Sequence, residues 1–149
     1  MNYCVIYSKS SKNSLDELIE KIKLANGNAC LVEATEETVK KASVGDTLGL
    51  SKEIVDCING ADECFFFIAD DNDENELINL IAEYVGGEGK NFSGVFNAQD
   101  EPAEVFNNLA KSFFSVNSLN YDEVLLGNPV WERNGRKNEV QKIVRVRCQ

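Results

Sequence analysis

Between Cys64 and Ala69 the chain reads Cys-Phe-Phe-Phe-Ile-Ala, six consecutive residues with no polar side chain on either face of an extended segment. Strands that rest one face on water alternate apolar and polar residues, whereas strands covered by helices on both sides are apolar throughout. This segment therefore demands a central place in a sheet held between two helical layers. The remainder of the chain has to supply those layers.

It does so by alternation. Tyr3 to Tyr7 is short, aromatic and β-branched, and predicts a strand followed by the polar loop Ser8 to Asn13. Ser14 with Glu17 predicts a capping box, and Leu15, Leu18, Ile19 and Ile22 share one helical face before Asn26-Gly27 stops the helix. Ala29 to Val32 reads as a second strand, and residues 35–49 are polar, with weak helical character over Glu36 to Ala42. A second helix is expected from Ser51, with Leu50 and Val55 as a staple and Ile54, Val55 and Ile58 inward, ending at Asn59-Gly60. Beyond the acidic stretch 70–76, Leu77, Ile78, Ile81, Tyr84 and Val85 form one helical stripe closed by Gly86-Gly87. Phe92 to Phe96 is the next strand, and Pro102 opens a helix carrying Val105, Phe106, Leu109, Ala110 and Phe113. The style then changes: Glu123 to Leu126 predicts a strand, Asn134-Gly135 a hairpin turn, and Lys142 to Cys148 a final alternating strand.

At 149 residues the chain has the size of one domain. The expected class is α/β: a three-layer, Rossmann- or flavodoxin-like, mainly parallel sheet with an antiparallel hairpin at its C-terminal edge. Cys64 to Ala69 should lie between strand one and Phe92 to Phe96. Ligands of such sheets bind beyond the carboxyl ends of the strands, where the strand order reverses.

Composition narrows the chemistry. There is no histidine, which removes Ser-His and Cys-His nucleophile activation and imidazole zinc sites. The net charge is −10, unevenly placed: residues 130–149 carry +4, with all four arginines, and the preceding residues carry −14. An acidic body repels phosphate backbones, so nucleic acid is an unfavourable partner. The basic end is expected to meet acidic surface of the same chain or of a sister subunit, and the edge hairpin predicts a homodimer. No run reaches the roughly 20 apolar residues of a membrane helix, and no basic segment followed by an apolar one opens the chain. Five cysteines, Cys4, Cys30, Cys57, Cys64 and Cys148, show no CxxC pair and read as buried reduced thiols of a cytoplasmic protein.

Two segments carry candidate chemistry. The loop Ser8 to Asn13 offers hydroxyls, two lysines and backbone N–H groups at a helix start, suited to a phosphate or carboxylate, although it lacks the glycines of GxGxxG and of a P-loop. The stretch Asp70 to Glu76 holds five carboxylates in seven residues. Its Asp71-x-Asp73-x-Asn75 opening resembles a calcium loop, but Glu76 stands where the turn glycine belongs, so no metal site is expected. Capping accounts for part of this acidity, since Asp73 and Glu76 suit a helix start.

The run Ile-Val-Asp-Cys-Ile-Asn-Gly-Ala-Asp-Glu-Cys-Phe-Phe-Phe-Ile-Ala-Asp-Asp, followed by a helix bearing Glu76, resembles the nucleoside 2-deoxyribosyltransferase-like and TIR-like group of Rossmann-type domains. The resemblance implies Glu76 as the group that attacks an anomeric carbon, Asp70 or Asp71 as holders of the sugar, and Tyr7 as the tyrosine at the end of strand one. The segment Tyr-Asp-Glu-Val-Leu-Leu-Gly-Asn-Pro-Val-Trp is similar to a flavin-flanking loop of flavodoxins, which implies that Trp131 or Tyr121 stacks on an isoalloxazine. Three functions thus stand: a small ligand-binding or regulatory domain recognising nucleosides or nucleotides at the carboxyl edge, with Tyr7, Ser8, Ser10 and Asp71 as binding residues; an N-glycosidic enzyme with Glu76 and Asp70 as catalytic residues; and an FMN binder. Composition names no cofactor.

Overall fold

The computed structural model describes residues 1–35, 52–68, 72–96, 104–133 and 136–137. Five strands form one sheet: β1 (Asn2–Tyr7), β2 (Asn28–Glu33), β3 (Glu63–Ile68), β4 (Phe92–Phe96) and β5 (Ser112–Ser115), in the order β2-β1-β3-β4-β5. All four pairings are parallel, with Tyr3 opposite both Ala29 and Glu63, Cys64 opposite Phe92, and Ser93 opposite Ser112. This order defines a flavodoxin-like α/β fold.

The central strand is where its two-sided apolarity requires. In β3, Cys64 and Phe66 join the core on one face and Phe65 and Phe67 the core on the other, all of them buried. The first core is closed by α2 (Lys52–Asn59), α3 (Asn72–Gly87) and α4 (Glu104–Leu109), through Ile54 and Ile58, Ile78, Ile81 and Val85, and Phe106. The second is closed by α1 (Asp16–Leu24) and α5 (Tyr121–Leu125), through Leu18, Ile22, Tyr121 and Val124. Phe66, Phe92 and Phe106 form a triangle of edge-on rings, with centroids 5.5, 5.8 and 5.6 Å apart, in the arrangement that ring quadrupoles favour.

Several boundaries differ from expectation for identifiable reasons. A 3₁₀ helix, Lys9–Ser14, follows β1, and α1 starts only at Asp16 without a side-chain cap, so the Ser14 box is not used. The stop at Asn26-Gly27 is as expected. There Asn26 takes φ +62° and the Gly27 N–H closes onto the Ile22 carbonyl at 2.9 Å. Phe113 belongs to β5 and not to the preceding helix, because Phe113 and Phe114 are both buried, on opposite sides of the sheet. Glu123 to Leu126 is not a strand: the three-residue spacing of Tyr121 and Val124 puts both on one face of α5.

The sheet ends at β5, whose pairing is parallel. Glu132–Arg133 (β6) and Arg136–Lys137 (β7) pair antiparallel as a separate ladder. Asn134-Gly135, the expected strand Lys142 to Cys148 and the dimer predicted through it lie outside the described residues, as do Leu50, Ser51 and Pro102. Cys4, Cys57 and Cys64 are buried as expected, but Cys30 is exposed, because β2 is an edge strand with only Val32 fully covered. No helix among the described residues is long and apolar enough to cross a membrane.

Gly94 shows how tightly the sheet is packed. A Cβ there would lie 2.6 Å from Phe113 Cδ1 and 3.0 Å from Phe106 Cδ1, whereas one at Gly87 meets nothing within 4 Å. Gly94→Ala should therefore lower unfolding free energy by about 1–3 kcal/mol. Gly87→Ala should be neutral or raise it by up to about 1 kcal/mol. Urea denaturation of both variants measures the contrast.

Candidate functional site

The carboxyl edge is built from the ends of five parallel strands. From β1 the chain passes to β2 on one side and from β3 to β4 on the other, so the strand order reverses between β1 and β3. Tyr7 ends β1 at this point. It is half-buried against the α1-side core and stands in register with Glu33, the last residue of β2. The Ala34 N–H donates to the Tyr7 carbonyl at 2.7 Å, which closes the ladder directly beneath the pair. Because residues opposite one another in parallel strands point to the same face, Tyr7 and Glu33 project together. Burial, followed by the nearby charges of Glu33 and Glu53, holds the Tyr7 phenol above its ordinary pKa, so it remains a neutral O–H donor at physiological pH.

The turn after β1 is folded on itself. Ser8 is fully buried, its Oγ lies 2.8 Å from Ser11 Oγ, and the Ser11 N–H donates to the Ser8 carbonyl at 3.0 Å. The two hydroxyls, 2.8 Å apart, hold the turn in shape. Ser10 lies within the same turn, and Lys9 and Lys12 are exposed on it. Asp70 and Asp71 lie outside the described residues. Glu76 is exposed on α3. At 100° per residue it stands about 180° around the helix axis from Val85, so it is on the side turned away from the core.

The loop after β5 is anchored by one carboxylate. Glu132 is buried and accepts from the Ser115 N–H at 3.0 Å, Ser118 Oγ at 2.9 Å and Asn120 Nδ2 at 2.7 Å. The loop borders a groove of about 210 Å³ shared with Glu17 and Lys21 of α1. Trp131 and Tyr121 are 1% and 2% exposed; the Trp131 Nε1–H donates to the Lys111 carbonyl at 3.1 Å and the Tyr121 hydroxyl to the Val116 carbonyl at 2.7 Å. Neither ring is available to stack on a flavin, and that expectation is corrected by their burial in the core. Among the described residues no group of three or more His, Cys, Asp or Glu is arranged to hold a metal ion.

No protein-family model and no curated protein matches the chain. Among solved structures it is similar to the N-terminal domain of a response regulator/sensory box/GGDEF 3-domain protein from Carboxydothermus hydrogenoformans, at 13% identity and a TM-score of 0.49, over 83% of this chain and 88% of that one. The fold assignment rests on the strand order and pairings themselves.

Glu33 and Glu132 are the residues that reading by motif passes over. Glu33 carries a signal only in hindsight of β2, where it is the charged residue that follows the apolar run Ala29 to Val32; Glu132 carries none, since its partners lie 12 to 17 residues away. Glu132→Ala leaves three donors without their acceptor and should cost roughly 1–3 kcal/mol in unfolding free energy. An unchanged urea midpoint would show that the loop is held by other contacts.

Proposed function

We propose that the protein is a ligand-binding or regulatory domain that recognises a nucleoside or nucleotide at the carboxyl edge of the sheet, at the ends of β1 and β2. The observation that carries this reading is the in-register pair Tyr7 and Glu33 at the carboxyl ends of β1 and β2, with Tyr7 on the strand that borders the β1/β3 point where strand order reverses. A half-buried phenol offers a flat apolar face for a base, and a carboxylate at the end of the neighbouring strand is placed to accept from both hydroxyls of a ribose, as acidic residues do in dinucleotide-binding folds. Lys9 and Lys12 on the adjoining turn supply cations for a phosphate, without the glycine-rich backbone cradle that a polyphosphate uses.

Recognition without turnover is favoured over N-glycosidic chemistry by the position of Glu76. A carboxylate that attacks an anomeric carbon must be directed into the substrate site, and Glu76 is exposed on the outward side of α3.

A ligand that binds only the folded state raises stability by RT ln(1 + [L]/Kd), about 2.7 kcal/mol at 100 times Kd. Thermal shift with ribonucleosides, their 2′-deoxy counterparts and the 5′-monophosphates should show a ribonucleoside or its monophosphate stabilising the protein more than the deoxy form. Tyr7→Ala should weaken binding about tenfold or more through lost stacking. Glu33→Gln should remove the ribose-over-deoxyribose preference. Absence of any shift, or equal response to both sugars in the unsubstituted protein, would overturn the assignment.

A further inference from the structure

Four cysteines that are dispersed along the chain meet at one corner of the fold. Parallel register sets Cys4 of β1 opposite both Cys30 of β2 and Cys64 of β3. Residues so paired project from one face, and α2 covers that face. Cys57, in the last turn of α2, joins the core on this same face with Cys4 and Cys64, and its Sγ–H donates to the Cys30 carbonyl at 3.3 Å.

Access to the four is graded. Cys4 and Cys64 are fully buried, Cys57 is 6% exposed, and Cys30 is open to solvent. A cavity of about 200 Å³ opens at the amino edge of the sheet, between the starts of β1 and β2 and the end of α2, and both Cys30 and Cys57 line it, with Tyr3, Asn28 and Asp56 among its walls. Among the described residues, these are the two thiols that a small reagent entering there meets.

We propose that Cys30 and Cys57 form a redox-active dithiol, oxidised reversibly to a disulfide by a low-molecular-weight disulfide such as oxidised glutathione. The cavity admits a small thiol reagent, and the lack of a metal-binding arrangement among the described residues separates this pair from a thiolate metal site. In the first step the Cys57 thiolate attacks one sulfur of the reagent. An S–S bond forms between them, the reagent's own S–S bond breaks, and its other half leaves as a thiolate that takes up the proton Cys57 gave up. In the second step Cys30, deprotonated, attacks the Cys57 sulfur and expels the second half of the reagent, which takes the Cys30 proton. Two protein thiols lose two electrons and the reagent becomes two thiols.

The order of attack follows from the surroundings. Hydrogen bonds from Cys4, and then from Cys30, stabilise the Cys57 thiolate and lower its pKa against the effect of burial. Partial desolvation and its role as donor to Cys57 push the Cys30 thiol up to about 11, so Cys57 attacks first and Cys30 resolves. The same hydrogen bonding, added to burial, raises the Cys4 thiol strongly and keeps it out of the exchange. The product ties an edge strand to the first helix on its face, across residues 31–56.

The experiment treats the reduced full chain under native conditions with oxidised glutathione, then blocks residual thiols and reads intact mass and linked peptides. The expected result is loss of two hydrogen atoms, a peptide pair joining Cys30 to Cys57, and reversal by dithiothreitol. Cys30→Ser should stop at a stable glutathione adduct on Cys57. A crosslink through Cys4, Cys64 or Cys148, a glutathione adduct on Cys30 without a crosslink, or no reaction of the folded chain would each overturn the proposal. The crosslink in the unsubstituted protein needs no variant, so the outcome stands even if Cys30→Ser folds poorly.

Discussion

A strand with no polar face cannot border water, and β3 has none: Cys64, Phe65, Phe66 and Phe67 are each at most 2% exposed. Burying four such side chains is worth several kcal/mol only if helices close over the sheet from both directions. That condition sets where the other elements go. β1 and β4 must flank β3, and the helices must divide between two faces, with α2, α3 and α4 on one side and α1 and α5 on the other. The remaining packing refines this arrangement. The Phe66, Phe92 and Phe106 rings interlock on the three-helix face, and Gly94 exists without a side chain because Phe113 and Phe106 fill the space one would take.

The two edges of the sheet are finished differently. At the amino edge the Lys90 ammonium donates to the Ile58 and Ala61 carbonyls at 2.7 and 2.6 Å, closing the end of α2, and the Asn2 N–H donates to Asp62 Oδ2 at 2.8 Å. Glu63 is buried there, and desolvation outweighs the Lys111 ammonium 3.9 Å away, so its carboxyl is held above the usual range. At the carboxyl edge the strand order reverses between β1 and β3, and Tyr7 and Glu33 stand side by side with the buried Ser8–Ser11 turn beneath. Recognition is placed at the second edge and thiol chemistry at the first, so the two functions proposed for this chain do not compete for the same residues.

Features governed by local pattern were legible before the structure. Phe92 to Phe96 is a strand with those bounds, β3 is central, α2 stops at Asn59-Gly60, and the alternation of strand and helix yields a parallel three-layer sheet. Features set by tertiary packing were not. Phe113 fits the period of the preceding helix and is drawn into β5 because the opposite sides of the sheet each take one of Phe113 and Phe114. Glu123 to Leu126 looks like a strand until α1 is present to receive Tyr121 and Val124 on one face of a short helix. The burial of Ser8 and the outward place of Glu76 on α3 could not be read in advance, since the direction of a side chain depends on the turn and helix phase around it. The convergence of Cys4, Cys30, Cys57 and Cys64 is written in no spacing, since it arises only when three strands are set in register and a helix is laid across them.

If β3 is the element on which the fold depends, its amides should open only when the whole domain unfolds, while the outer strands open earlier. Native-state hydrogen exchange resolved by residue measures this directly. The account predicts that the amides of Cys64 to Phe67, with those of β1 and β4, share the highest protection and a free energy equal to that of global unfolding, with β2 and β5 lower. Exchange of β3 as early as that of β2 would contradict it.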